Sequence, residues 1–204
     1  MYMRTRRMSR AESKARTREQ LLDSAESVFA RRGYTAATIE EISEGAGFSR
    51  GAFYANFADK SEVFLAIAEA GQQQAFAEIA ARIDATEAEG ILDMMYEWFT
   101  RVLVHGRLRR ALDEFRLVAI DDPSLRKRLA SFERAATDLT AQVLADFCHA
   151  HGVELTVSTE AFAGMVTALV GGYATRLALD PRAVEPEEIG QALEALWSGL
   201  VRAS

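Results

Sequence analysis

Between Thr38 and Lys60 the chain reads TIEEISEGAGFSRGAFYANFADK, and its side chains sort by size and polarity as a DNA-reading surface requires. Ile39, Ile42 and Ala46 give one apolar face to a short helix, Gly47 permits a sharp turn, and Phe48 fits the angle as a wedge. Phe53 and Phe57 anchor a second short helix from beneath. Outward remain Ser49, Arg50, Gly51, Ala52, Tyr54, Ala55 and Asn56, small or polar groups at the end that enters a major groove. The fork of Arg50 matches guanine O6 and N7, a pairing worth about 1–3 kcal/mol of discrimination. Gly51 removes a side chain where backbone must come close, and Ala52 can meet a thymine methyl. Tyr54 and Asn56 are donors placed for phosphate, and Thr38 and Lys60 stand at helix N-termini, where phosphates bind well.

The elements that must hold this segment are helical. Only three prolines occur, at 123, 181 and 186. Apolar residues recur at steps of three and four, as in Leu21, Leu22, Ala25, Val28 and Phe29, or Leu125, Leu129, Phe132, Ala136, Leu139 and Val143. The chain is therefore expected to be all-α, with about nine helices. The first runs from near Ser13 to Gly33. Capping-box patterns at Thr38–Glu41 and Asp59–Glu62 start the second and fourth, and Ser49 can cap the third. The fourth reaches about Ile83, and the rest span roughly 88–105, 107–120, 123–150, 158–179 and 186–202, with Pro123 and Pro186 at first helical positions.

Composition narrows the class. Hydrophobic residues at 49% close a sizeable core, and no apolar run is expected to reach the roughly 18 residues of a membrane span. The arginine-rich start is followed by no secretory signal, and a lone cysteine, Cys148, suits a reducing compartment, so a soluble cytoplasmic protein is expected. The net charge of −6 hides an asymmetry: Arg4, Arg6, Arg7, Arg10, Lys14, Arg16 and Arg18 face the single acid Glu12 in the first 18 residues. Local positive charge, not a basic whole, is what phosphates need. A phosphate-binding glycine loop, a zinc-protease HExxH and a nucleophile elbow are all lacking, so catalysis is not expected. Cys148 and His151 share a helical face, but two ligands fall short of a zinc site. Neither metal nor cofactor is expected.

The run Gly33-Tyr34, Thr38-Ile39, Ile42, Ala46 to Gly51, Phe53-Tyr54, Phe57 and Lys60 resembles the N-terminal domain of the TetR family of bacterial transcription regulators. The likeness covers about residues 14 to 65. Asn56 stands where the family often has histidine, Ser61 where glutamate is common, and Phe48 where valine is commoner. The resemblance implies a three-helix DNA-binding domain, here 1–60, and a helical effector-binding and dimerisation domain, here 61–204. It also implies a homodimeric repressor on a palindromic operator, released by a small molecule. A helical partner-binding module working without DNA is the competing reading.

Within the body, Met95, Trp98, Phe99, Phe115 and Phe132 are candidates for lining an adaptable apolar pocket, with Arg176 as a polar contact. Their character points to a hydrophobic effector. Ala161, Gly164, Ala168, Gly171 and Thr175 form a smooth stripe at three- and four-residue steps. Glycines cost about 1 kcal/mol each against alanine inside a helix, so the stripe needs a close partner. With Leu193 and Trp197 of the last helix it fits the interface that the resemblance implies, the alternative being close packing of the last two helices within one chain.

Overall fold

The computed structural model describes residues 9–83, 90, 93, 96–97, 107–180 and 182–202. Among these lie eight named helices. They are α1 (Arg10–Ala36), α2 (Ile39–Gly45), α3 (Arg50–Tyr54), α4 (Lys60–Ile83), α5 (Arg109–Asp121), α6 (Pro123–His151), α7 (Thr159–Leu179) and α8 (Pro186–Leu200). The all-α expectation holds, and the helix expected over 88–105 falls mostly outside the described residues. Two compact units result: Met1–Glu69 with Arg110–Arg126, and Ala70–Arg109 with Lys127–Ser204.

In the first unit, α1 starts earlier than Ser13 because Ser9 and Glu12 close a capping box. The Ser9 N–H donates to Glu12 Oε2 at 2.6 Å, and the Glu12 N–H donates to Ser9 Oγ at 3.1 Å. Leu21, Ala25, Val28 and Phe29 bury its inner face. Gly33 then leaves the helical path at φ 77° and ψ 178°, a backbone conformation that side chains other than hydrogen resist. A Cβ at Gly33 would also collide with the Glu114 carboxylate of α5. That carboxylate accepts the Thr35 N–H at 2.8 Å and the Arg110 Nε–H at 2.8 Å. Lys60, opening α4, donates from Nζ to the carbonyls of Tyr34 (2.8 Å), Thr35 (3.3 Å) and Ala37 (2.9 Å). The end of α1, left without helical partners by the kink, is thus capped by two charged side chains of other helices.

Aromatic rings fill the space beneath. Tyr34 lies 5.9 Å from Phe29, 5.2 Å from Phe64 and 4.8 Å from Phe115, and Phe64 and Phe115 are 5.0 Å apart. Phe115 was a candidate for the effector pocket. Its ring is 0% exposed and engaged in the core of the first unit, which its place on α5 brings to α1 and α4.

The second unit is built on α6, α7 and α8. Leu144, Phe162, Val166, Val170, Val184, Ile189 and Leu193 form its main core cluster, and Phe76, Ile79 and Phe147 a second one. Trp197 joins both, 6.1 Å from Phe147 and 5.8 Å from Phe162. Leu193 and Trp197, expected at an interface, thus pack inside their own chain, with Leu193 buried and Trp197 partly so. The proline starts at 123 and 186 are found as expected. By length and composition alone α7, with a mean hydropathy of 1.3, is apolar enough to cross a membrane, contrary to the expectation that no such run exists. In this unit its buried side is Phe162, Ala163, Val166, Val170 and Ala174.

Two tests follow from the packing of the first unit. Phe115→Ala removes a fully buried ring and should cost about 3–5 kcal/mol in urea unfolding, where a pocket-wall position would lose far less. The second concerns Glu114. Burial pushes its carboxyl up, but the Thr35 N–H and the Arg110 guanidinium outweigh this and hold it below the usual 4.5. A carboxylate depressed in the folded state stabilises the fold above its unfolded pKa, and loses that contribution as pH falls through the folded value. The thermal midpoint of the wild type should therefore fall more steeply than that of Glu114→Gln below pH 4.5. Parallel curves would mean that the carboxylate contributes nothing.

Candidate nucleic-acid interface

The pair α2–α3 is fixed mainly by short polar contacts to its own backbone and to α1. Thr38 caps α2: its Oγ1 accepts the Glu41 N–H at 3.2 Å, and Glu41 Oε2 accepts the Thr38 N–H at 3.3 Å. Arg32 of α1 donates from Nε and Nη2 to Glu41 Oε1 at 3.0 and 2.7 Å. Ser24 of α1 donates to the Ile42 carbonyl at 2.8 Å. Gly47, at φ 75°, makes the turn in the left-handed region that a side chain disfavours, and the Phe48 N–H then returns to the Ser43 carbonyl at 2.8 Å. Ser49 caps α3 by accepting the Ala52 N–H at 3.3 Å.

Phe53 and Phe57 hold α3 down as expected, 0% and 1% exposed with ring centroids 5.6 Å apart, and Phe48 is half-buried. Sequence reading missed one further anchor. Arg18 lays its guanidinium over the Phe57 ring, 4.0 Å from the centroid, and donates from Nη1 to the Asn56 carbonyl at 2.8 Å. A member of the basic N-terminal cluster therefore acts as a cap on the end of the recognition segment. The signal available was its spacing: Arg18 precedes buried Leu21 by one helical turn, on the same side of α1.

With the helix anchored, Ser49, Arg50, Gly51 and Tyr54 are exposed, and Ala52 is half-buried. The only contact within 4 Å of a Cβ built at Gly51 is Ser49 Oγ at an ordinary 3.6 Å, so nothing in the described chain requires glycine there. Tyr54 keeps about half its surface in solvent, its ring edge against Phe53. Arg50 Nη1 pairs with Glu40 Oε1 at 2.7 Å, and its guanidinium carbon stands 5.9 Å from the Tyr54 ring centroid. Three functional side chains from α2 and α3 thus share one exposed face.

Two of the residues expected to reach phosphate have other work. The Lys60 ammonium directs its three donors at the carbonyls ending α1, and its burial pushes its pKa down. The backbone start of α4 is served by carboxylates: Asp59 Oδ1 accepts the Glu62 N–H and Glu62 Oε2 accepts the Ala58 N–H, both at 2.7 Å. Asn56 turns inward as well, its Nδ2 donating to the Ala52 carbonyl at 2.8 Å. Thr38 stays exposed, but its hydroxyl is engaged in its own capping box. Charge is also distributed unlike the simple expectation. Residues 9–60 carry as many acidic as basic side chains, so the positive excess of the head comes from Arg4, Arg6 and Arg7.

Of the residues expected at an effector pocket, Met95, Trp98 and Phe99 lie outside the described residues. Phe132 is half-buried on α6. Arg176 is exposed, and its Nη2 donates to the Ala183 carbonyl at 2.8 Å, tying down the chain after α7. Along α7, Ala161, Ala168 and Thr175 are exposed and Gly164 and Gly171 half-exposed. No described atom outside their own helix backbone lies within 4 Å of a Cβ built at Gly164, Gly171 or Gly172.

Residues 21–67 match the family described as bacterial regulatory proteins, tetR family, a span that takes in all of α2 and α3. The chain is 33% identical over 146 residues to the HTH-type transcriptional repressor AcnR of Corynebacterium efficiens, a match covering 63% of this chain and 73% of that protein. In fold it is similar to a TetR-family transcriptional regulator of Mesorhizobium loti, with a TM-score of 0.73, 17% identity, and 95% and 99% of the two chains covered. It is also similar to a transcriptional regulator of Saccharomonospora viridis in complex with choline, with a TM-score of 0.70, 18% identity, and 93% and 100% covered. Given the capped α2, the glycine turn and an α3 anchored by phenylalanines, the chain belongs to the TetR family of bacterial regulatory proteins, and α2–α3 is its DNA-binding helix-turn-helix.

Proposed function

We propose that this protein is a transcriptional repressor that binds a two-fold symmetric operator as a homodimer and is released by a small hydrophobic effector. The observation that carries the DNA side is the exposed cluster of Ser49, Arg50, Gly51 and Tyr54, with Ala52 beside it, on a helix whose anchors are buried. Arg50 reads a base edge, Gly51 lets the backbone approach, and Ser49, Tyr54 and Thr38 locate the phosphates. Lys60 and Asn56 act indirectly, by holding the head in shape. Arg4, Arg6 and Arg7 supply the sequence-independent attraction to the duplex.

Support for a dimer comes from α7. Its small-residue stripe is exposed or half-exposed, and no described atom outside the helix's own backbone approaches Gly164, Gly171 or Gly172, so packing against the described residues does not account for the glycines. A second copy presenting the same smooth face would. Leu193 and Trp197 contribute by stiffening α8 from behind. The hydrophobic character of the effector rests on Met95, Trp98, Phe99 and Phe132, and the binding of a small molecule is supported by a neighbour in fold that is in complex with choline.

Two measurements check this reading. Arg50→Ala should lower the ratio of affinities for a duplex selected by the wild type over a scrambled one, by about 1–3 kcal/mol or some 5- to 150-fold. An unchanged ratio would remove Arg50 from base readout. Linkage requires an effector to bind DNA-free protein more tightly than the complex, by the factor with which it weakens DNA binding. Calorimetric titration of both forms should show a difference of about 5- to 150-fold, and equal affinities would exclude release by that molecule.

A further inference from the structure

The reading arginine is not free in the unbound protein. Arg50 Nη1 meets Glu40 Oε1 at 2.7 Å, with both side chains about half exposed, at 59% and 49%. Glu40 occupies the first turn of α2, and Arg50 is the first residue of α3. An anion on this face is unfavourable wherever phosphates approach, and it stands beside Arg50, the basic side chain of this face among the described residues. Its neighbour in sequence, Glu41, is accounted for by the cap and by Arg32. Glu40 has no such local duty.

We infer that Glu40 masks the reading arginine: it competes with DNA for the Arg50 guanidinium, so that every acceptor on the duplex must first break this pair, which a base edge with two acceptors does most readily. The chemistry is an exchange of like for like. The pair in hand is a charge-assisted hydrogen bond to a carboxylate oxygen. Guanine offers O6 and N7 in a matching fork, whereas adenine offers one acceptor beside a donor, and cytosine offers a donor. A phosphate on an arbitrary sequence also attracts Arg50, and whichever acceptor takes the arginine, Glu40 is left as an unpaired anion, so the cost of breaking the pair falls on both kinds of complex. The pair is exposed and therefore weak, which suits a competitor that must yield readily at the correct site. Tyr54, one turn further along α3, keeps the guanidinium on the reading face while it changes partner.

This inference rests on the assignment of Arg50 to base readout, and the test separates the two. The probes are a duplex selected from a randomised library by the wild-type protein and a scrambled duplex of equal composition. Glu40→Gln keeps the shape and removes the charge. It should raise affinity for the selected duplex by about two- to fivefold and for the scrambled duplex by no more, because Arg50 leaves Glu40 in full where it reads a base. Because Arg50 then becomes free to neutralise a phosphate on any sequence, the salt dependence on the scrambled duplex should steepen by about 0.9 in the log–log slope. In an Arg50→Ala background the gain on the selected duplex should shrink to that on the scrambled duplex. A gain on the selected duplex that is just as large without Arg50 would reduce Glu40 to general repulsion and overturns the inference. If Arg50→Ala alone leaves the ratio unchanged, the base-readout assignment fails instead. Thermal melting of each variant, expected within a few degrees of the wild type, confirms that the head is folded.

Discussion

The shape of the DNA-reading head depends on how one helix end is closed. At Gly33 the path of α1 breaks, and the carbonyls of Tyr34, Thr35 and Ala37 need partners from elsewhere, those of Tyr34 and Ala37 in part-buried positions. The ammonium of Lys60 takes all three, and the carboxylate of Glu114 takes the Thr35 N–H. Unpaired buried groups cost about 1–3 kcal/mol each, so these two side chains decide whether the kink is stable. Everything downstream follows from the direction the chain takes there. Thr38 is set to cap α2, α2 leads through Gly47 to α3, and α3 presents Arg50.

The same closure explains why α5 belongs to the head although 25 residues separate it from α4. Glu114 fits the space that Gly33 leaves empty, and Phe115, the next residue, enters the ring cluster of Phe29, Tyr34 and Phe64. A polar contact fixes the register and an aromatic one supplies the burial. Aromatic pairs add about 0.5–1.5 kcal/mol beyond the area they cover, so the cluster is a strong reason for α5 to stay. A shift of α5 along its axis would disturb both contacts at once.

The surface that meets DNA follows a different economy. Its anchors, Phe53 and Phe57, are buried and backed by Arg18, while the reading groups are few and exposed. Among the described residues of this face the positive charge is that of Arg50, itself balanced by Glu40. In the proposed function, general attraction comes instead from arginines at the start of the chain. Separating attraction from reading lets affinity for any duplex and preference for one duplex be set by different residues.

How much of this is legible without coordinates depends on the range of the interaction. The Thr38–Glu41 capping box, the glycine turn, proline helix starts and the apolar face of α1 are local, set by residues within four positions of one another, and they are read correctly from order alone. Phe53 and Phe57 are legible for the same reason. The body between 88 and 105 was read as a helix with pocket residues, and those residues lie outside the described part of the chain. By itself, then, the sequence determined the helices, the helix-turn-helix and the exposed reading group. Only the tertiary structure decided that Lys60 and Asn56 turn inward, that Phe115 packs the head, that Leu193 and Trp197 face their own core, and that Arg50 is held by Glu40. Each of those is a choice among partners distant in sequence, and a side chain's composition says which partners it can take, not which one the fold brings within reach.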